Sequence, residues 1–214
     1  MKLYIPDRKN INATSIDDPL LYYYSNVLFR YAYRERLKMA LSLMGGDRFR
    51  RLLEIGTGSG IFLPALSEKC DSLVGFDIHD KTNLIMDMLR KESKKAHLCR
   101  ADIRSIPFGS SSFDCVVCLS VLEFIKDLGS AAEEIYRVTE KGGTVLVGAP
   151  VLNAMTDQLY YICGNKNHKT RHVSGHVDII ESFKNRFRVD SLLTFPGLIP
   201  LKHSLFFVMK CSKH

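Results

Sequence analysis

Arg51-Leu52-Leu53-Glu54-Ile55-Gly56-Thr57-Gly58-Ser59-Gly60 is the stretch on which the reading of this 214-residue chain turns. A short apolar run, interrupted only by Glu54, leads into three glycines at alternate positions and then into a helix-like pattern from Ile61 to Lys69. Strand, tight turn and helix in that order form the opening unit of a nucleotide-binding α/β domain. Glycine suits such a turn because a side chain would block a ligand's approach to the backbone and because the turn can require φ > 0. The amides of Gly58 and Gly60 are then expected to point at an acceptor group on the ligand.

The spacing narrows the ligand. A dinucleotide fingerprint is G-x-G-x-x-G, and aligning Gly56 and Gly58 with it puts Ile61 where the third glycine belongs. This disfavours an NAD-dependent oxidoreductase. Glu54, Gly56, Gly58 and Gly60, with Thr57 and Ser59 between, instead resemble motif I of the class I S-adenosylmethionine (AdoMet)-dependent methyltransferases. The resemblance implies AdoMet as cofactor, S-adenosylhomocysteine (AdoHcy) as product, and Glu54, Gly56, Thr57, Gly58 and Gly60 as cofactor-binding residues.

Downstream, Ser72 to Ile78 reads as a second strand, with Asp77 lying 21 positions after Gly56. A two-strand unit delivers a carboxylate to a ribose at that distance, where it accepts hydrogen bonds from both hydroxyls. Asp77, with Ile78 beside it, takes that role, and Asp80 better fits the N-cap of the helix expected over Lys81–Lys95. Ala96 to Ala101 reads as a third strand and Cys115 to Leu119 as a fourth. Asp127 to Glu140 reads as a helix, Lys141-Gly142-Gly143 as a turn, and Thr144 to Ala149 as a fifth strand. The phrase from Pro107 to Glu123, P-F-x-x-x-S-F-D followed by a strand ending V-L-E, is similar to the small-molecule, type 11-like branch of the same family. By that resemblance Asp102 would contact the adenine amino group and Ile103 would pack on the ring.

Strand alternating with helix implies a parallel sheet with right-handed crossovers and ligands at the carboxyl ends of its strands. Gly56, Asp77, Asp102 and Leu119-Ser120 all fall at expected strand ends. The expected fold is therefore α/β: a Rossmann-like, seven-stranded, mostly parallel sheet with one antiparallel edge strand, helices on both faces and an N-terminal helical cap. Phe187 to Leu193 and Leu205 to Cys211 supply the last two strands, the second of them at the edge. The organisation is one domain over 1–214: a cap or lid over 1–47, an AdoMet-binding core over 48–149, and a substrate-covering segment with C-terminal strands over 150–214. Within the cap, Asp18-Pro19 reads as a helix start, and Leu20 to Met44 as one long helix or two shorter ones.

The net charge of +7 divides into +4 over residues 1–50, −2 over 51–150 and +5 over 151–214. The basic excess flanks the core, as it would for an anionic acceptor, although a solvated surface explains it too. Cys115 and Cys118 have C-x-x-C spacing, but three positions apart on a strand they face opposite sides and read as core residues. No run approaches the ~20 apolar residues of a membrane span. The N-terminus lacks the apolar stretch of a signal peptide, and the expected location is cytoplasmic. The chain is expected to act as a monomer or homodimer.

Methyl transfer from a sulfonium is a direct displacement, so positioning carries most of the catalysis and a base is needed only if the acceptor loses a proton. Candidate bases are His172, His176 and Tyr24. Tyr22 to Tyr24 and His168 to His176 are the expected contributors to an acceptor pocket. No third ligand accompanies the H-x-x-x-H spacing, and no metal is expected. The fourth strand is followed by neither an Asn/Asp-Pro-Pro-Tyr/Phe motif nor a Pro-Cys nucleophile, so nucleic-acid adenine and cytosine chemistry is not expected. The reading is a methyltransferase for a small organic or lipid-like acceptor. A protein or RNA methyltransferase and a non-catalytic AdoMet-binding partner subunit stand as alternatives.

Overall fold

The computed structural model describes residues 3–12, 20–24, 27–162 and 172–214. The Asp18-Pro19 helix start, His168 and the side chain of Tyr22 lie outside the described residues. A 3-10 turn over Leu20–Tyr23 precedes α1 (Val27–Met44). The core then runs β1 (Phe49–Ile55), α2 (Leu63–Ser67), β2 (Cys70–Asp77), α3 (Thr82–Lys91), β3 (His97–Arg100) and β4 (Phe113–Leu119). A 3-10 turn over Leu122–Phe124 leads to α4 (Leu128–Val138), β5 (Thr139–Pro150) and α5 (Ala154–Ile162). After the undescribed stretch come α6 (His176–Lys184), β6 (Arg188–Phe195) and β7 (Phe206–Ser212).

All seven strands form one sheet in the order β3-β2-β1-β4-β5-β7-β6. Pairing is parallel from β3 through β5, while β7 runs antiparallel to both of its neighbours. The antiparallel strand therefore lies one place inside the edge, and β6 takes the outermost position. The order reverses between β1 and β4, the place where crossovers to opposite faces leave a crevice at the strand ends.

Each face of the sheet carries its own core. Leu52, Leu73, Cys115, Val117 and Leu146 point to the face covered by α1, α2 and α3. Leu53, Ile55, Val116, Cys118, Val145 and Val147 point to the face covered by α4 and α6. Cys115 and Cys118 are both fully buried and lie on opposite faces, as the period of two requires.

Three element boundaries differ from the sequence reading, each for a local reason. The helix after the glycine loop is one short turn, because Gly60 N–H closes on Thr57 and β2 already starts at Cys70. Helix α3 stops at Lys91, where Ser93 turns left-handed and Lys94 N–H returns to the Leu89 carbonyl (2.8 Å). Lys141-Gly142-Gly143 is not a turn before β5 but a bulge within it: the partners of β5 jump from Phe113↔Thr139 to Cys115↔Thr144 around Gly142 at φ 74°.

One side chain gathers three hydrogen bonds from the N-terminal arm. Glu92, just past α3, accepts hydrogen bonds from the Tyr4 hydroxyl (2.5 Å), the Asp7 amide (2.9 Å) and the Asn10 side chain (2.7 Å). The Tyr24 hydroxyl donates to the Pro6 carbonyl (2.7 Å) and locks the same arm from its other side. Helix α3 begins beside the strand ends and rises ~1.5 Å per residue, so Glu92 grips the arm ~15 Å from them. Burial opposes ionisation of Glu92, but the hydrogen bonds from Asn10, Tyr4 and Asp7 outweigh it and hold the carboxyl below its usual range. A depressed folded-state value stabilises above the unfolded value of 4.5 and loses that contribution as pH falls. Glu92→Ala is expected to lower unfolding free energy by ~1–3 kcal/mol at pH 7, with the difference shrinking below pH ~4, measured by urea denaturation across pH.

Candidate functional site

Strand register assembles the site. Ile55 is paired with Phe76 on β2 and with Cys118 on β4, and Asp77 is paired with Arg100 on β3. The next residue along β1 and β4 is therefore Gly56 and Leu119, level with Asp77. Asp102 follows two places after Arg100. Adjacent strands are ~4.8 Å apart, so these positions span ~15 Å along one edge.

The three loop glycines all adopt left-handed conformations, with φ of 77° at Gly56, 53° at Gly58 and 79° at Gly60. Two of them are also required by protein neighbours. A Cβ on Gly56 would lie 2.1 Å from Val121 Cγ2, and one on Gly60 would lie 2.5 Å from Ile85 Cγ2. Contrary to the expectation that the Gly58 and Gly60 amides point at a ligand, both are engaged within the protein. Gly60 N–H donates to the Thr57 carbonyl (2.7 Å), and Gly58 N–H donates to Asp77 Oδ2 (2.8 Å). Thr57 and Ser59 are buried between them.

Asp77 is thus held by the loop it faces. Its Oδ1 accepts from the Ile78 amide (2.7 Å), which fixes the carboxylate plane and leaves lone pairs on both oxygens. His79 supports the same geometry from below. Its Nδ1 accepts from Lys81 N–H (3.1 Å), so Nε2 carries the proton and donates to the Gly58 carbonyl (2.7 Å). Asp80 does not cap α3; Lys81 stands at the N-cap position without a side-chain cap.

Beneath the loop lies a group of buried charges that the sequence reading recognised only in part. Glu54 is 6% exposed and Glu123 is 3% exposed, and each has one carboxyl oxygen with no hydrogen-bond partner among the described residues. Burial, then the charge of Asp77, pushes Glu54 well above the usual carboxylate range, with Arg36 pulling the other way. Burial raises Glu123 to about 7, opposed by its own backbone amide and by Arg36. Arg36 reaches in from α1, donating to the hydroxyls of Tyr23 and Ser120. Ser120 sits at φ 57° just past β4, with its amide on the Gly148 carbonyl (2.7 Å). A cationic side chain inside Tyr-Arg-Glu-Arg on an amphipathic helix gives no sequence signal that distinguishes it from a solvated one; here Tyr23 and Tyr33 flank its guanidinium.

The remaining candidates are placed as follows. Ile78 is exposed, and Ile103 is buried in the core on the α4 face. Asp102 holds Arg104 through both carboxyl oxygens (2.6–3.2 Å) and accepts its amide (2.9 Å), which lowers its pKa. Leu119 packs against the core on the α1 face. Tyr24 is committed to Pro6, and burial pushes its hydroxyl far above 10. His172 packs edge-on against Phe124 (5.2 Å between centroids). His176 Nδ1 accepts from the Leu152 amide (3.3 Å), and burial lowers its pKa. A neutral imidazole so held has its lone pair occupied and its other nitrogen protonated, which leaves nothing to act as a base. Among the described residues no three His, Cys, Asp or Glu side chains group as metal ligands. Nor is any helix among them long and apolar enough to cross a membrane.

A family model described as a methyltransferase domain matches residues 53–147. Over 165 residues, 72% of this chain, it is 25% identical to a malonyl-[acyl-carrier protein] O-methyltransferase of Serratia marcescens, of which 62% is covered. Over 114 residues, 52% of this chain, it is 27% identical to a ubiquinone biosynthesis O-methyltransferase of Alkalilimnicola ehrlichii, of which 46% is covered. The chain thus spans less than two thirds of the length of these curated relatives. The N-methyltransferase NodS of Bradyrhizobium japonicum, solved with S-adenosyl-L-homocysteine, superposes with a TM-score of 0.68 at 19% identity, covering 92% of this chain and 93% of its own. That likeness is one of fold.

Two outcomes follow from this geometry. Gly56→Ala combines a left-handed conformation with a close approach to Val121, and should cost ~2–4 kcal/mol of stability. A double-mutant cycle with Val121→Ala should recover at least ~1 kcal/mol as coupling, read from denaturant midpoints. For Glu123 the folded pKa lies above the unfolded one, so stability is full below pH ~4.5 and is lost as pH rises through about 7. Glu123→Gln removes that loss: relative to wild type the variant should gain up to ~3 kcal/mol between pH 5 and pH 8 in thermal or urea unfolding.

Proposed function

We propose that this chain, whose residues 53–147 match a methyltransferase-domain family model, is a class I AdoMet-dependent methyltransferase that transfers the methyl group of AdoMet to a small organic or lipid-like acceptor and releases AdoHcy. The observation that carries the reading is the register that sets Gly56, Asp77 and Leu119 level along one edge, with Asp102 two residues beyond the β3 partner of Asp77. Its ~15 Å span fits a nucleoside with an amino-acid tail. The whole chain acts as one methyltransferase domain, with 1–47 as its cap and 150–214 as the acceptor-covering part.

In this reading each residue has a defined task. Asp77, oriented by the Gly58 and Ile78 amides, accepts the ribose hydroxyls. Asp102 and Ile103 bound the adenine end, and Ile78 shields it from water. Arg36, whose hydrogen bonds go to two neutral hydroxyls, has charge to spare for the methionine carboxylate. Glu54 ionises when a cation lies beside it, which offsets the burial that otherwise keeps it protonated. The bound cofactor supplies an electrophilic methyl on a sulfonium. The chain's work is to fix that methyl against the acceptor and to exclude water, and positioning of this kind lowers barriers by ~7–11 kcal/mol. The basic excess of the flanking segments supports an acceptor with an anionic substituent away from its reacting atom.

Calorimetry tests the reading at two levels. AdoMet and AdoHcy should bind and NAD should not. Asp77→Ala should weaken AdoMet by ~1.5–3 kcal/mol, because charge-assisted hydrogen bonds to the ribose are lost. Equal affinity in a folded Asp77→Ala variant would rule out the ribose role. A protein that binds AdoMet yet transfers no labelled methyl group to any metabolite in a broad panel would point to a non-catalytic partner subunit.

A further inference from the structure

We propose that Glu123 is the residue that takes the proton from the methyl acceptor, and that the acceptor's nucleophile is therefore a hydroxyl of the phenolic class. The proposal rests on the methyltransferase reading and goes beyond it. Glu123 lies in the 3-10 turn that immediately follows β4, three residues after Ser120, on the edge where Gly56 and Asp77 stand. Val121, two residues before it, is wedged against Gly56, so this turn is built into the wall of the glycine loop.

The side chain is almost completely buried, yet Oε2 has no hydrogen-bond partner among the described residues. Leaving a buried carboxyl oxygen unsatisfied costs ~1–3 kcal/mol. A group kept at that cost, beside a site, has a partner that is absent from the protein alone. The same residue's backbone carbonyl accepts the amides of Val173 (2.8 Å) and Ser174 (3.2 Å), and Ser174 Oγ donates to the Ile125 carbonyl (2.6 Å). The segment entering α6 is thus stitched over this turn. The turn that carries Glu123 thus touches both the loop that would hold the methyl donor, through Val121, and the segment expected to cover the acceptor, through the Glu123 backbone carbonyl.

Glu54 is the other buried carboxyl with an unsatisfied oxygen, but its position differs. It lies inside β1, paired across to Gly75 and Val117, under the loop and within the influence of Asp77. That places it on the donor side. Of the sequence candidates, Tyr24 and His176 are spent on backbone groups.

The step balances without a further reactant. As the acceptor oxygen forms its bond to the methyl carbon, the carbon–sulfur bond breaks and its electron pair returns to sulfur. The acceptor's O–H proton passes to Glu123 Oε2, and water removes it after the product leaves. A carboxylate acceptor has no proton to give at neutral pH and would be repelled by Glu123. A phenol has one, of pKa ~10, and meets the base it lacks.

The test uses the full chain and its Glu123→Gln variant with two probes: phenol, and 4-nitrophenol, which ionises near neutrality without help. Calorimetry with AdoHcy should show equal affinities, within about twofold. On the AdoHcy-loaded protein, phenol should bind about tenfold more weakly to Glu123→Gln, since a hydrogen bond to a charged acceptor is lost. With labelled AdoMet, Glu123→Gln should lose about a hundredfold or more on phenol and less than about threefold on 4-nitrophenol. The acid limb of the phenol pH–rate profile should vanish in the variant. Equal losses on both probes would make Glu123 a packing residue and overturn the proposal. So would unchanged rates, or a wild-type protein that binds AdoHcy and methylates neither phenol. Failure to bind AdoHcy at all would instead overturn the reading on which it rests.

Discussion

The cleft depends on one register: Ile55 paired with Phe76 on one side and with Cys118 on the other, in three parallel strands. Because side chains alternate, a slip of one residue on any of the three would send the side chains fitted to one core into the other. It would also move Gly56, Asp77 or Ser120 ~3.3 Å out of line. The two-sided burial of β1, β2 and β4 therefore fixes the site as firmly as it fixes the fold. Leu52, Leu53, Ile55, Cys115 through Cys118 and Phe76 are all nearly inaccessible in this pairing.

What the register lines up is a set of charges that do not balance on their own. Arg36 faces Glu54 and Glu123 without forming a close ion pair with either, and its hydrogen bonds go to Tyr23 and Ser120. Fully paired, these groups would be a static salt-bridge cluster. Left partly paired in a low-dielectric setting, each responds strongly to a charge brought in from outside. A zwitterionic ligand with an added positive centre offers Arg36 and Glu54 partners of both signs at once.

Much of this was legible in the sequence, because glycine spacing, apolar runs and acidic residues at strand ends are local signals. The loop, Asp77, the two-faced cysteines and the seven strands follow from them. Three things were not legible. Arg36 arrives from a helix whose own charge pattern looks solvated, and only tertiary packing brings it to Ser120. Glu123 stood in a recognisable phrase but gained its character from burial, which a sequence does not display. The place of β7 inside β6 was also missed, since two similar apolar runs carry no mark of which pairs with β5. At Gly60 the residue type was informative but its reason was not: Ile85 takes the space a side chain would need.

That interior position of β7 has a consequence for biosynthesis. Strand β5 is complete at Pro150, yet the strand that covers its open side, Phe206–Ser212, is made only after β6. At about 5–20 residues per second the ribosome takes roughly 3–12 s to reach it. For that interval Val145 to Ala149 presents unpaired backbone at the margin of a nascent sheet, the kind of edge that recruits other strands. The last strand to emerge is therefore the one that closes the open side of β5.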